Sequence, residues 1–313
     1  MQYYFAPLEG ITDHIFRSLH HKYFPGIDRY YTPFLSPTVH RKLTAKEARE
    51  IPPADTLNVT VVPQLLTKVP EDFLFMAQVC KDLGYKEVNL NLGCPSGTVT
   101  AKGKGSGMLR DPVGLNDFLD QIYADAPIDI SVKTRLGFES SQEFPAILEV
   151  LNRYPIKELT LHPRVRKAFY NGSVDMDAFA YAYAHSKAPL CYNGNLCSLS
   201  DIRAFSQQYP EVQAVMLGRG LIGDPGMLCP GGTDIRALEN FHRELSDYYV
   251  QAFGGARNAM FRLKEHWRYL LCLFEGSEKL GKRLRKTTDL AEYQAITREI
   301  FRLPLRTELL ADW

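Results

Sequence analysis

The chain has 313 residues, 37 lysines and arginines against 36 aspartates and glutamates, and six cysteines, none in a Cys-x-x-Cys pair. That length admits one large barrel and a smaller appendage without disulfide staples, and the cysteine spacing suggests neither a zinc site nor a disulfide framework, so no metal is expected and a reducing cytoplasm fits. Met1 runs straight into an apolar stretch without a basic segment or cleavage site, and no apolar window has the length of a bilayer span, which points to a soluble cytoplasmic protein with no membrane role.

In chain order, β-type runs fall at 3–6, 29–31, 58–62, 87–90, 129–132, 158–161, 190–192 and 214–217. Between them, apolar residues recur at helical spacing, as with Phe73, Met76, Ala77, Val79 and Cys80 before Leu83-Gly84, or Ile147, Leu148 and Leu151 before Tyr154-Pro155. Eight alternations within about 230 residues predict a (β/α)8 TIM barrel, an α/β fold; a doubly wound sheet is the rival, because alternation alone does not close a sheet. After Asp224-Pro225-Gly226 the pattern becomes all-helical, with helices expected at 234–253, 256–274 and 289–301. Cys229-Pro230-Gly231-Gly232 reads as a hinge, giving a barrel domain over 1–232 and a small helical domain over 233–313. Between Arg257 and Lys286 the charge is strongly basic, so any polyanion contact is expected there.

Reactive groups in such barrels come from the C-terminal ends of the strands. The residues there are Pro7-Leu8-Glu9, Pro63-Gln64, Asn91-Leu92-Gly93-Cys94, Lys133-Thr134-Arg135, His162-Pro163-Arg164, Asn193-Gly194-Asn195 and Gly218-Arg219-Gly220. Each alone can be a loop tie, but together they bring an amide, an ammonium, an imidazole, guanidiniums and a thiol to one rim, a pocket for a large polar ligand. Gly218-Arg219-Gly220 has the composition of a phosphate site. A buried Lys133 needs a carboxylate or an electron-rich cofactor, and a flavin ring edge would suit it.

The segments APLEGITDHIFR, VPQL, VNLNLGCPSGTVTAKGKGSGML, SVKTRLG, LHPRVRKAFYNG, YNGN and MLGRG occur in that order, and through them the chain resembles the tRNA-dihydrouridine synthase family. The run from Arg262 to Trp267, with Leu284-Arg285-Lys286, resembles that family's helical tRNA-binding domain more loosely. The resemblance implies a flavoprotein with FMN in the barrel and NADPH or NADH as electron donor. Its activity would be an oxidoreductase reaction on a CH–CH group, the C5–C6 double bond of a D-loop uridine in tRNA. Hydride would pass from the reduced flavin to C6, and Cys94, as a protonated thiol, would be the general acid for C5.

By the same resemblance, Pro7, Leu8 and Glu9 line the flavin with their backbone, Gln64 bonds the isoalloxazine edge, Lys133 sits at its N1/O2 side and His162 touches it. Asn193, Gly194, Asn195, Gly218 and Arg219 hold the ribityl phosphate end. Asn91 and Arg135 hold the uracil or its phosphate, and Arg164, Arg166, Lys167, Lys102 and Lys104 lie near the RNA backbone. Leu8 stands where many members have Met, a volume-conserving change. Pro163 stands where Gly is frequent, and its fixed φ bears on how the loop 164–172 presents its charges. tRNA and the nicotinamide donor are the expected partners, with no stable protein partner. Two alternatives are an FMN barrel acting on a free pyrimidine, as in dihydroorotate dehydrogenases, and a non-catalytic tRNA-binding chaperone. The first has no use for a basic helical appendage, the second none for Cys94, Lys133 and His162 together.

Overall fold

The computed structural model describes residues 1–38, 40–307 and 309. Its strands are β1 (Gln2–Phe5), β2 (Arg29–Tyr31), β3 (Thr60–Val62), β4 (Gln64–Leu65), β5 (Glu87–Leu92), β6 (Asp129–Arg135), β7 (Leu159–His162), β8 (Leu190–Tyr192) and β9 (Ala214–Leu217). They form one sheet in the order β3-β2-β1-β9-β8-β7-β6-β5-β4. The two ends of that order, β3 and β4, are consecutive in the chain and separated only by Pro63, so the sheet closes on itself. Proline has no N–H for the ladder, which splits one stave into two, while the Pro63 carbonyl still accepts from Asn89 N at 2.8 Å. Eight staves therefore result from eight β-type runs, and closure removes the doubly wound alternative.

Helices His14–Tyr23, Pro70–Asp82, Pro112–Ala124, Phe144–Leu151, Met176–His185 and Leu199–Gln208 separate successive staves. Their starts carry the expected signals: Asp13 and Asp175 accept from Phe16 N and Ala178 N at 3.0 and 2.9 Å, and proline opens Pro70–Asp82 and Pro112–Ala124. β5 is buried at every position, as a strand covered on both faces must be. β5 and β6 extend past the apolar runs that announce them, so Asn91, Lys133 and Arg135 lie within strands rather than after them. Parallel pairing sets Asn91 opposite Lys133, and Arg135 opposite His162.

The strand starts are locked by ion pairs. Glu87, the first residue of β5, meets Arg29 at 3.3 Å and Lys157 at 3.1 Å, and Lys157 also meets Asp129 at 2.9 Å. Glu158, just before β7, accepts from Tyr4 Oη at 3.0 Å. Burial raises the Glu158 carboxyl above its ordinary range.

The chain divides into two compact units, Met1–Pro7 with Asp28–Asn195 and Ser206–Met216, and Leu8–Ile27 with Leu196–Phe205 and Leu217–Trp313. In the second, helices Ile235–Ala252, Ala256–Leu270, Glu278–Lys286 and Leu290–Ile300 follow one another. Glu278–Lys286 escapes the apolar-periodicity reading because only Leu280 and Leu284 mark its inner face amid charge. Trp267 Nε1 donates to His242 Nε2 at 3.0 Å and Tyr293 Oη at 2.8 Å, tying three helices together. Phe16, from the helix after β1, stacks on His266 with ring centres 5.0 Å apart and meets Phe241 edge-on at 5.6 Å. That helix thus belongs to the helical unit although it falls early in the sequence.

Candidate active site

Cys94 follows β5 on a loop fixed from both sides. Asn91 Oδ1 accepts from Gly93 N at 3.0 Å and Cys94 N at 2.9 Å, and Ser106 Oγ donates to the Cys94 carbonyl at 2.8 Å. Gly105 has φ +57°, and a Cβ there would lie 3.0 Å from Cys94 Cβ, so the return of this loop needs glycine. The thiol keeps partial exposure, whereas Cys80 and Cys191 are buried and burial pushes both thiols up, Cys80 to about 12. Cys94 is thus set apart from those two by access.

An amide chain runs behind it. Asn91 Nδ2 donates to Gln64 Oε1 at 2.7 Å, Gln64 Nε2 to Asn89 Oδ1 at 2.8 Å, and Asn89 Nδ2 to Ser131 Oγ at 2.9 Å. The carboxamides of Gln64 and Asn91 are thereby oriented, each with one amide hydrogen uncommitted among these bonds. Asn89 and Ser131 were not singled out in the sequence, although Asn89 and Asn91 alternate on one face of a buried strand, which is a readable signal.

The half-buried Lys133 side chain makes no hydrogen bond or ion pair with a described residue. Burial pushes its ammonium down to about 7, Arg135 adding to the effect, and the thiols of Cys191 and Cys94 pull the other way. His162 is held well below its ordinary range by burial and by Arg135, Lys133 and Arg164. A neutral ring assigns the tautomer: Nδ1–H donates to the Asn193 carbonyl at 2.6 Å, leaving Nε2 as acceptor, 3.4 Å from Arg164 Nη1. Asn193 in turn donates to the Met216 carbonyl at 2.7 Å. A Cβ on Gly194 would fall 1.9 Å from Tyr192 Oη, so only glycine fits beside that ring.

Arg135 and Arg164 are buried, 2% and 3% exposed, and bind backbone. Arg135 Nε donates to Gly93 O at 2.9 Å, and its Nη1 to Val165 O and Phe169 O at 3.1 and 2.7 Å. Burial draws the guanidinium down to about 10, opposed by Tyr170. Arg164 donates to Asn171 O and Asn195 Oδ1, both at 3.2 Å, and to Gly172 O. Both arginines therefore shape the loop 164–172 and its join to Cys94. Pro163 fits this arrangement, its carbonyl accepting from Asp175 N at 2.8 Å. Arg166 Nε donates to Pro95 O at 3.1 Å, Lys167 reaches Glu139 at 3.7 Å on the surface, and Lys104 Nζ donates to Ser36 Oγ at 3.2 Å, whereas Lys102 is exposed. Tyr170 lies 5.3 Å from the Arg135 guanidinium and meets His162 edge-on at 6.0 Å. Sequence reasoning missed Phe169 and Tyr170, since two aromatics in a loop carry no periodic signal.

Pro7 closes the first segment of the barrel unit. In the second unit, Leu8 N donates to Thr12 Oγ1 at 2.9 Å and the Leu8 carbonyl accepts from Ile11 N at 3.0 Å, so Leu8 and Glu9 begin a tight turn. The Gly10 carbonyl accepts from Arg262 Nη1 at 2.7 Å. Gly218 caps the short helix Arg219–Gly223. His266 and Trp267, inside the segment whose likeness suggested RNA contact, are core residues, and Lys264 Nζ is committed to the Thr287 carbonyl. Arg257, Arg268, Lys279, Lys282, Arg283, Arg285 and Lys286 remain exposed.

The family model described as dihydrouridine synthase (Dus) matches residues 4–293. Among curated proteins, probable tRNA-dihydrouridine synthase 1 of Synechocystis sp. is 30% identical over 222 residues, covering 70% of this chain and 61% of its own. The tRNA-dihydrouridine synthase B of Proteus vulgaris is 27% identical over 280 residues, 83% of this chain and 85% of its own. A probable tRNA-dihydrouridine synthase of Rhizobium leguminosarum is 28% identical over 289 residues, 88% of each chain.

Proposed function

The chain belongs to the dihydrouridine synthase (Dus) family, and on that premise we propose that it is an FMN-dependent enzyme that reduces the C5–C6 double bond of a uridine in tRNA, with NADPH or NADH as electron donor. The observation that carries the cofactor assignment is Lys133, a half-buried ammonium without a carboxylate partner among the described residues. The donor set around it suits the N1/O2 edge of a flavin, which gains electron density on reduction. When bound, the flavin supplies the hydride for C6.

Lys133 would set a cation at that edge, and Gln64, its carboxamide oriented by Asn89 and Asn91, would offer its remaining amide hydrogen to the ring. Neutral His162 has Nε2 as its acceptor, shared with Arg164 Nη1 at 3.4 Å, on the side it would turn to the cofactor. Asn193, Gly194 and Asn195 of the first unit serve the ribityl phosphate. The resemblance assigns the same cofactor to Pro7 and, in the second unit, to Leu8, Glu9, Gly218 and Arg219. Cys94 Sγ gives its proton to C5, where hydride addition at C6 leaves enolate-like charge. Asn91 holds the backbone of Cys94 in place and has one amide hydrogen for the base. Arg135 and Arg164 act on the substrate through the loop they shape, and phosphate contact falls to Lys167, Lys102 and the partly exposed Arg166.

Residues 1–232 are the catalytic part and 233–313 the tRNA-binding part, whose exposed cations on Glu278–Lys286 suit a polyanion. A cytoplasmic location fits that substrate and six cysteines that form no disulfide. An FMN enzyme of free pyrimidines would leave these cations without a role. The test incubates the FMN-loaded protein and NADPH with an unmodified tRNA transcript and, separately, with orotate and uridine monophosphate. Nucleosides from the tRNA should gain two hydrogens at one uridine while the free pyrimidines stay intact; the opposite outcome overturns the reading.

A further inference from the structure

Phe169 has φ +51° and ψ −103°, and with Arg41 it is one of two non-glycine residues at positive φ among the described residues. A Cβ is strained there and glycine would not be, so the side chain must have a use that outweighs the strain. Core burial is not that use, because Phe169 is 40% exposed and its neighbour Tyr170 49%. The two rings diverge: Tyr170 lies by Arg135 and His162, whereas Phe169 has the Arg166 guanidinium 5.0 Å from its ring centre.

The backbone beneath the ring is fixed. Phe169 N donates to Arg166 O at 3.1 Å, and its carbonyl accepts from Arg135 Nη1 at 2.7 Å. The same guanidinium, through Nε, holds Gly93 O at 2.9 Å, next to Cys94. Arg166, which backs the ring, is itself anchored on Pro95 O at 3.1 Å. An exposed apolar ring thus stands on a rigid support tied twice to the loop that presents the reacting thiol, with Arg166 and exposed Lys167 beside it for phosphates.

Resting on the tRNA reading above, we propose that Phe169 is a wedge that enters the RNA stack at the step vacated by the target uridine. A uridine in a folded loop must leave its stack to reach Cys94, and proteins that open a stack do so with apolar side chains that replace the lost base contact. An aromatic ring that is 40% exposed and has a guanidinium 5.0 Å from its centre suits that role, since base–aromatic stacking is tolerant of sequence.

The test places 2-aminopurine on the 3′ side of the uridine that the wild-type protein reduces, in an otherwise unmodified tRNA transcript. Phe169→Gly removes the ring and relieves the backbone, so the protein folds with an unchanged or higher Tm; Phe169→Leu retains part of the wedge. Wild-type binding should raise the fluorescence, Phe169→Gly should abolish that rise and lower kcat/KM on folded tRNA about tenfold, and Phe169→Leu should fall between. On a short unstructured oligoribonucleotide holding one uridine, whose base is already free, the glycine variant should stay within about twofold of wild type. Equal losses on both substrates, or a full fluorescence rise with the glycine variant, would overturn the wedge. Reduction of neither substrate by the wild-type protein would instead overturn the tRNA reading itself.

Discussion

Asn91 separates two accounts of the site, because a residue that grips uracil and a residue that holds Cys94 fail differently. Asn91→Ala deletes two accepted hydrogen bonds, at 3.0 and 2.9 Å, and one donated bond at 2.7 Å, at a position 7% exposed. At about 1 kcal/mol for each buried bond the loss is about 3 kcal/mol, and for a chain of this length that lowers Tm by about 5 °C. Gly93 N and Cys94 N then have no fixed acceptor, and a misplacement of about 1 Å at the proton donor costs about 100-fold in kcat. KM for tRNA should move less than about threefold, since a single hydrogen bond to the base is lost against the many phosphate contacts that bind tRNA. Asn91→Asp keeps the two accepted bonds and loses the donation to Gln64 and the amide hydrogen offered to the base, so it should recover kcat to within about tenfold of wild type. Differential scanning calorimetry and steady-state kinetics on a tRNA transcript read both quantities. A raised KM with unchanged kcat and Tm, or an aspartate variant no better than alanine, would refute this role for Asn91.

Burial holds His20, His242 and His266 each down to about 3, so each is neutral in the folded protein at pH 7. A depressed histidine contributes its full stability above the unfolded value of about 6.5 and loses it as pH falls toward 3, which amounts to about 2 kcal/mol per histidine by pH 5. Chemical denaturation at pH 7.5 and 5.0 should show that loss, and a flat profile would contradict the burial of these rings. Lys133, pushed down to about 7 in the cofactor-free protein, should take up a proton when FMN binds above pH 7. FMN affinity should then fall as pH rises from 7, by up to about tenfold per unit, and titration calorimetry in buffers of differing ionisation enthalpy should register the proton; Lys133→Met should abolish both effects. Replacing the exposed Lys282, Arg285 and Lys286 by alanine should reduce the slope of log affinity for tRNA against log salt by about 2, measured by filter binding, while NADPH-driven reduction of the flavin is unaffected.

The barrel was legible because its strands are short apolar runs separated by helical periods, and eight of them within the first 217 residues leave few other ways to cover a parallel sheet. Closure was favoured by the count of eight but not fixed by it: it depends on Pro63 joining β3 to β4, a three-dimensional event that a sequence records only as one proline. The rim residues could be picked out by type, yet Arg135 and Arg164 look the same in sequence whether they face RNA or loop carbonyls. In the structure both guanidinium groups are buried and donate to loop carbonyls. Phe169 was invisible because its significance lies in φ rather than in its identity. The helix Glu278–Lys286 was hidden for the converse reason, a charged surface over a narrow apolar edge.

The central claim is that Cys94 protonates a tRNA uridine as hydride arrives from the flavin. Its most direct test is a single-turnover experiment: the FMN-loaded protein is reduced anaerobically, mixed with unmodified tRNA, and followed at the flavin absorbance band with dihydrouridine quantified at the end. The wild-type protein should be reoxidised with one dihydrouridine formed per flavin, and Cys94→Ala should be slowed by about 100-fold or more while binding tRNA normally. Reoxidation that does not depend on tRNA, or a Cys94→Ala protein that turns over at the wild-type rate, would contradict the account.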